Sequence, residues 1–86
     1  MNAGKKPKER PSLLDEQKEI QQKIGTRYRL LREATRLSQE KFANEYELGR
    51  RHISRIENGA NIKIDTLVEY LRPFNITIQE FFAGLP

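Results

Sequence analysis

The sequence predicts an all-α fold, a compact bundle of five helices with an extended first helix. Three observations lead there. Apolar residues recur at spacings of three and four in separate stretches. Helix-start patterns of the S-x-x-D and T-x-x-E kind stand directly before two of them. Strand-like alternation is confined to residues 61–64.

Ser12 precedes Asp15, so hydroxyl and carboxylate can satisfy amide groups orphaned at a helix start. From there Ile20, Ile24, Tyr28 and Leu31 share one face, which predicts a helix over 13–35. Ser38, followed by Gln39, Glu40 and Lys41, opens a short second helix with Phe42, Ala43 and Tyr46 as its buried stripe. Gly49 caps a third helix over 50–58, and Gly59 is placed to stop it in a left-handed conformation. Ile64, Leu67, Val68, Leu71 and Phe74 form a fourth amphipathic face, which Pro73 should end or bend early. Thr77 with Glu80 makes a capping box for a last short helix ending near Phe82. Tyr28, Tyr46 and Tyr70 occupy stripe positions and are expected in the core, with Tyr28 or Tyr46 free to offer a hydroxyl to backbone or phosphate.

Composition narrows the function classes. A chain of 86 residues makes one domain, and at this size only about 60% of the unfolded surface is buried. A large catalytic cleft or a separate ligand-sensing domain is not expected. Without cysteine, disulfides and cysteine-ligated metal sites are excluded. His52 is the single histidine and has no second histidine or cysteine to complete a metal set. No catalytic residues, cofactor or metal are therefore expected, and an enzyme is rejected. No apolar run is long enough to cross a membrane, which predicts a soluble, cytoplasmic protein.

The net charge is +4, and it is unevenly spread. Lys5, Lys6, Lys8 and Arg10 against Glu9 give residues 1–11 a net +3, leaving +1 for residues 12–86. With Gly4, Pro7, Pro11 and no apolar residue beyond Met1 and Ala3, residues 1–11 read as a flexible basic arm before a folded domain over 12–86. Any nucleic-acid signal in the folded part must come from local clustering.

Such a cluster lies on the third helix. At about 100° per residue, Ile53 and Ile56 fall together, while Arg50, Arg51, Ser54, Arg55 and Asn58 fall on the opposite face. Three guanidiniums on one short face repel each other unless an anion compensates, and DNA supplies one. Arginine can bridge O6 and N7 of guanine, and residues near a helix start reach deepest into the major groove. Arg50 and Arg51 are thus the candidate base readers, with Arg55 reading a base or a phosphate. Taken alone, the arginines also fit a solvated face or pairing with Glu47 and Glu57.

Over residues 24–82 the segments IGTRYRLLR, LSQEKFA, ISRIENG, IDTLVEYL and ITIQEFF stand in the order and spacing of a known pattern. The chain closely resembles the phage-repressor-like (Cro/CI-type, XRE-like) helix-turn-helix family. This resemblance implies a sequence-specific transcriptional regulator that binds double-stranded DNA. It implies base reading by Arg50, Arg51 and Arg55 and phosphate contacts by Gln39 and Asn58, with Ser54 on the same face. Gln39 would also brace the start of the recognition helix. Arg32 and Glu57 match positions that form an ion pair between the first and third helices. Homodimers on two-fold-related sites are common in the family, and apolar residues near the C-terminus could supply an interface. An alternative use of the fold is an antitoxin-like or accessory protein-interaction module, to which Phe81, Phe82, Leu85 and the unmatched segment 13–22 point.

Four residues depart from the pattern. Glu47 stands where glycine is usual in the turn between the second and third helices, implying a helix-compatible turn or a strained left-handed residue. Arg36 replaces a common glycine, Lys63 a capping serine, and Pro73 interrupts the fourth helix. None lies on the reading face.

The arm yields the first prediction. If its cations follow DNA phosphates, deleting residues 1–10 should flatten the plot of log affinity against log salt by about 0.9 for each phosphate that the arm neutralises. Sequence preference should survive. Parallel lines for full-length and truncated chains would mark the arm as a freely solvated tail.

Overall fold

In a computed structural model that describes residues 12–86, Ser12 caps the first helix by accepting from the Asp15 amide at 3.0 Å. The basic arm lies outside the described residues. Helix α1 (Leu13–Ala34) runs 22 residues, about 33 Å at 1.5 Å per residue. Ser38 caps α2 (Gln39–Tyr46) through the Lys41 amide, and α3 (Arg50–Glu57) follows after a short turn. Helix α4 (Ile64–Leu71) ends two residues before Pro73, and residues Arg72–Phe74 tighten into a 3-10 turn. Thr77 and Glu80 cap α5 (Ile78–Ala83) reciprocally, each accepting from the other's amide at 3.0 and 2.8 Å. Among the described residues every regular element is helical and there is no strand, and residues 61–63 form an irregular connection up to the start of α4 at Ile64. None of these helices is long and apolar enough to cross a membrane.

Every helix contributes to a single core. Tyr28 comes from α1, Phe42 and Ala43 from α2, Ile53 and Ile56 from α3, Leu67, Tyr70 and Leu71 from α4, and Phe81 from α5. The 3-10 turn forced by Pro73 swings Phe74 back onto this core. There its ring stacks on Phe42 at 5.3 Å and meets Tyr28 edge-on at 5.2 Å. The Tyr28 hydroxyl donates to the Tyr70 carbonyl at 2.8 Å, and burial pushes its pKa well above the ordinary tyrosine range. Arg27 fastens the C-terminal helix to α1: its guanidinium lies over the Phe81 ring, and Nη1 donates to the Gly84 carbonyl.

Helices α1 and α3 cross at Gly25. A Cβ there would lie 2.6 Å from the Ile56 carbonyl oxygen, so only glycine allows the two backbones this close.

Several stripe positions prove less buried than the periodicity predicts. Ile20 is 40% exposed because the first turns of α1 run beyond the helices that cover Tyr28. Ile64, the first residue of α4, is 61% exposed, and Val68 lies one step around the helix from buried Leu67. Tyr46 ends α2 with its ring leaning on Phe42 at 4.8 Å and its outer side in solvent. Conversely, Phe81 is fully buried, which removes it from any surface for a partner, and Phe82 and Leu85 pack partly against the core.

Among the described residues, three other than glycine adopt left-handed backbone: Arg36, Glu47 and Asn75, at φ 65°, 55° and 54°. Gly59, also left-handed at φ 80°, follows the end of α3 without that cost. Glu47 closes α2, so the turn takes the strained option, at a cost of roughly 1–2 kcal/mol for an L-residue. Glu47→Gly should therefore raise the urea midpoint, corresponding to roughly 1 kcal/mol after glycine's greater unfolded-state freedom is counted. Glu47→Val should lower it. An unchanged midpoint for both would show that this turn holds no strain.

Candidate nucleic-acid interface

Helix α3 is fixed at both ends before its outer face is considered. At its start, Gly49 serves as N-cap without a side chain, and its own amide donates to the Tyr70 hydroxyl at 2.9 Å. Tyr70 thus accepts from Gly49 through its hydroxyl and from Tyr28 through its carbonyl, tying α1, α4 and the start of α3 together. This role carries no motif. A tyrosine in place of phenylalanine in a buried stripe is its only sign, since a buried hydroxyl needs a partner.

At the other end, Glu57 is held from two sides. Arg32 donates from Nε and Nη2 to the two carboxylate oxygens at 2.7 and 3.0 Å, and from Nη1 to the Leu37 carbonyl at 2.7 Å. The side chains of Arg32 and Glu57 are only 10% and 3% exposed. The hydrogen bond to Glu57 raises the Arg32 pKa above its ordinary value. Gln39 adds a third contact, its Nε2 donating to Glu57 Oε1 at 3.0 Å. Its amide therefore braces the last residue of α3 and not the first, and one donor hydrogen remains for another acceptor.

Between these ends, Ile53 and Ile56 point into the core and the remaining side chains face outward. Arg50 and Arg51 occupy the first turn and are exposed, as is Arg55 one turn on. Arg55 makes one long hydrogen bond, from Nη2 to the Asn61 carbonyl at 3.4 Å. Asn58 is exposed and Ser54 half-buried, and the Asn58 amide donates to the Ser54 hydroxyl at 3.3 Å. His52 sets its ring against Tyr70 at 5.5 Å.

Charge on this face is uncompensated. Among the described residues, neither Arg50, Arg51 nor Arg55 lies within 4.0 Å of a carboxylate. Glu57, the acid on the same helix, is taken by Arg32, and Glu47 bridges none of them. The amide groups of the first turn of a helix add positive potential at the Arg50 and Arg51 end. The arrangement is a convex, basic helix face about 10–12 Å across with its side chains.

Comparison with known proteins agrees in kind. The family described as helix-turn-helix matches residues 29–81, a span that starts five residues later than the resemblance read from motifs. Control protein C.MunI from a Mycoplasma species is 36% identical over 69 residues, which covers 78% of this chain and 93% of that protein. No solved structure matches the chain.

The buried pair generates a prediction about stability. Arg32→Ala and Glu57→Ala should each cost about 3–5 kcal/mol, because each leaves an opposite charge buried without its partner. The double variant should lose less than the sum. Urea titrations of the four proteins decide this, and strict additivity would mean that the two side chains are not energetically coupled.

Proposed function

The chain belongs to the phage-repressor-like helix-turn-helix family, and from that membership we propose that it regulates transcription by reading a specific double-stranded site, with α3 in the major groove. That it is a helix-turn-helix DNA-binding regulator follows from the family; the groove and the residue roles are our reading. The observation that carries it is the outer face of α3, where Arg50, Arg51 and Arg55 stand without carboxylate partners among the described residues.

Arg50 and Arg51 read bases. They stand on the first turn, the part of a recognition helix that goes deepest, and each has a planar fork matching guanine O6 and N7. Arg55, held loosely at Asn61, contacts a base or the flanking backbone. Ser54 and Asn58 lie farther along the same face and donate to phosphate. Gln39 does so from the start of α2 with the donor hydrogen that Glu57 leaves free. These backbone contacts position α3, while the arginines carry the sequence information. The similar protein's description as a control protein fits a regulator of this kind.

Arg50→Ala and Arg51→Ala should each weaken binding to a site selected from a random duplex library by about 1–3 kcal/mol. Their melting curves should match the parent's, since neither side chain touches the core. Arg55→Ala separates two roles. Relaxed preference at one base pair marks a base reader, whereas uniform weakening with a salt slope flatter by about 0.9 marks a phosphate contact. Parent-like affinity in the Arg50 or Arg51 variant would remove that residue from the reading face.

A further inference from the structure

The single histidine and a lysine that departs from the family pattern meet beside the reading face. Lys63 stands where a capping serine is usual, yet it makes no side-chain cap on α4. Instead it lines an open cleft of about 230 Å³ between α3 and α4, together with His52, Arg55 and Thr66. The inner side of His52 is seated: its ring meets Tyr70 edge to face at 5.5 Å, and a Cβ on Gly49 would touch its Cδ2 at 3.6 Å. The outer side is exposed.

The charges that line this cleft are all positive. Arg55 and Lys63, like Arg51 next to His52, have no carboxylate within 4.0 Å among the described residues. The acids of the flanking elements are Asp65 and Glu69 on α4 and Glu47 in the turn before α3, and none of them lines the cleft. Asp65 accepts from the Thr66 amide at 2.7 Å, and Glu69 bridges Arg72 at 3.7 Å. Glu57, on the same helix as His52, is bound to Arg32. Tyr70, the remaining titratable group against the ring, accepts from the Gly49 amide.

We propose that this cleft holds a DNA phosphate and that His52 takes up a proton as the phosphate enters, so that DNA binding tightens as pH falls. The proposal rests on α3 lying in the major groove, as above. At about 100° per residue, His52 lies about 60° round the helix from Arg55, on the flank of the reading face. A helix about 10–12 Å across fills a groove about 12 Å wide, so a flanking side chain meets the sugar-phosphate wall and not base edges. An anion at that distance favours imidazolium over imidazole, and imidazolium has a donor on both nitrogens. The complex then holds more protons than the free protein, and affinity rises as pH falls through the range of about 5 to 8 in which histidine titrates. A shift of about one unit on binding corresponds to a tenfold difference in affinity.

Titrations of the full chain against its selected duplex at fixed salt, from about pH 8 to about pH 5.5, span that range. The parent should gain about tenfold in affinity for a one-unit shift. His52→Gln keeps a donor but no titrating charge, and should lose that gain. The Met1 amino group also titrates in this window, but it is common to both proteins. A gain in His52→Gln equal to the parent's would overturn the proposal. His52 is the only histidine, so its ring protons give a second readout by NMR that needs no variant. Their titration midpoint should move up when duplex is added, and an unmoved or lowered midpoint would overturn the proposal. If Arg50→Ala and Arg51→Ala lose affinity while parent and His52→Gln share one pH profile, proton uptake fails and α3 remains the reading helix. Parent-like affinity in both arginine variants would overturn the reading and the proposal with it.

Discussion

Two opposite charges held out of water between α1 and α3 set the terms for the rest of the molecule. Arg32 and Glu57 are each costly to bury, and a pair of this kind adds little net stability over apolar residues of similar size. Its effect is on geometry. Both carboxylate oxygens take a bond from the guanidinium fork, the third arginine nitrogen is committed to Leu37, and Gln39 completes the set. A shift of α3 by a fraction of a turn would break several of these bonds together and leave a charge stranded. The pair thereby fixes the end of α3, the loop before α2 and the first residue of α2 in one arrangement.

Two further constraints act in the same direction. At Gly25 the backbones of α1 and α3 approach without an intervening side chain, so their separation is set by the main chain itself. At the opposite end of α3, Tyr70 receives the Gly49 amide, and this fixes the entry of the chain into the helix. The bonds at the two ends and the two isoleucines between them leave α3 little freedom to rotate. In the role proposed for α3, such preorganisation is an advantage, because order already present in the free protein is not lost again on binding.

How much of this was legible in the sequence depends on the range of the physics involved. Helix starts at Ser12, Ser38 and Thr77 were readable because a cap is a contact between residues three apart. Pro73 announced its own break. Periodicity told which side of a helix is apolar, but not whether anything covers it, hence the exposure of Ile20, Ile64 and Val68. The Arg32 and Glu57 positions are 25 residues apart, and no local rule joins them; their pairing was implied by the family resemblance alone. Gln39 bonding to the far end of α3, and Tyr70 accepting from Gly49, depend on packing of whole helices and left no trace in spacing. The choice at Glu47 was open because a left-handed residue is tolerated only when the surrounding fold compensates for it.

The division of α3 into an inner and an outer face bears on how such a protein can diversify. Ile53, Ile56 and Glu57 hold the helix in place, and among the described residues Arg50 and Arg51 make no side-chain hydrogen bond or ion pair that the fold relies on. Substitutions outward of the isoleucines are therefore close to neutral for folding, while those inward are not. A lineage built on this scaffold can drift through many outer-face combinations without passing through unfolded intermediates, and selection then acts on what the helix contacts without first having to repair the fold.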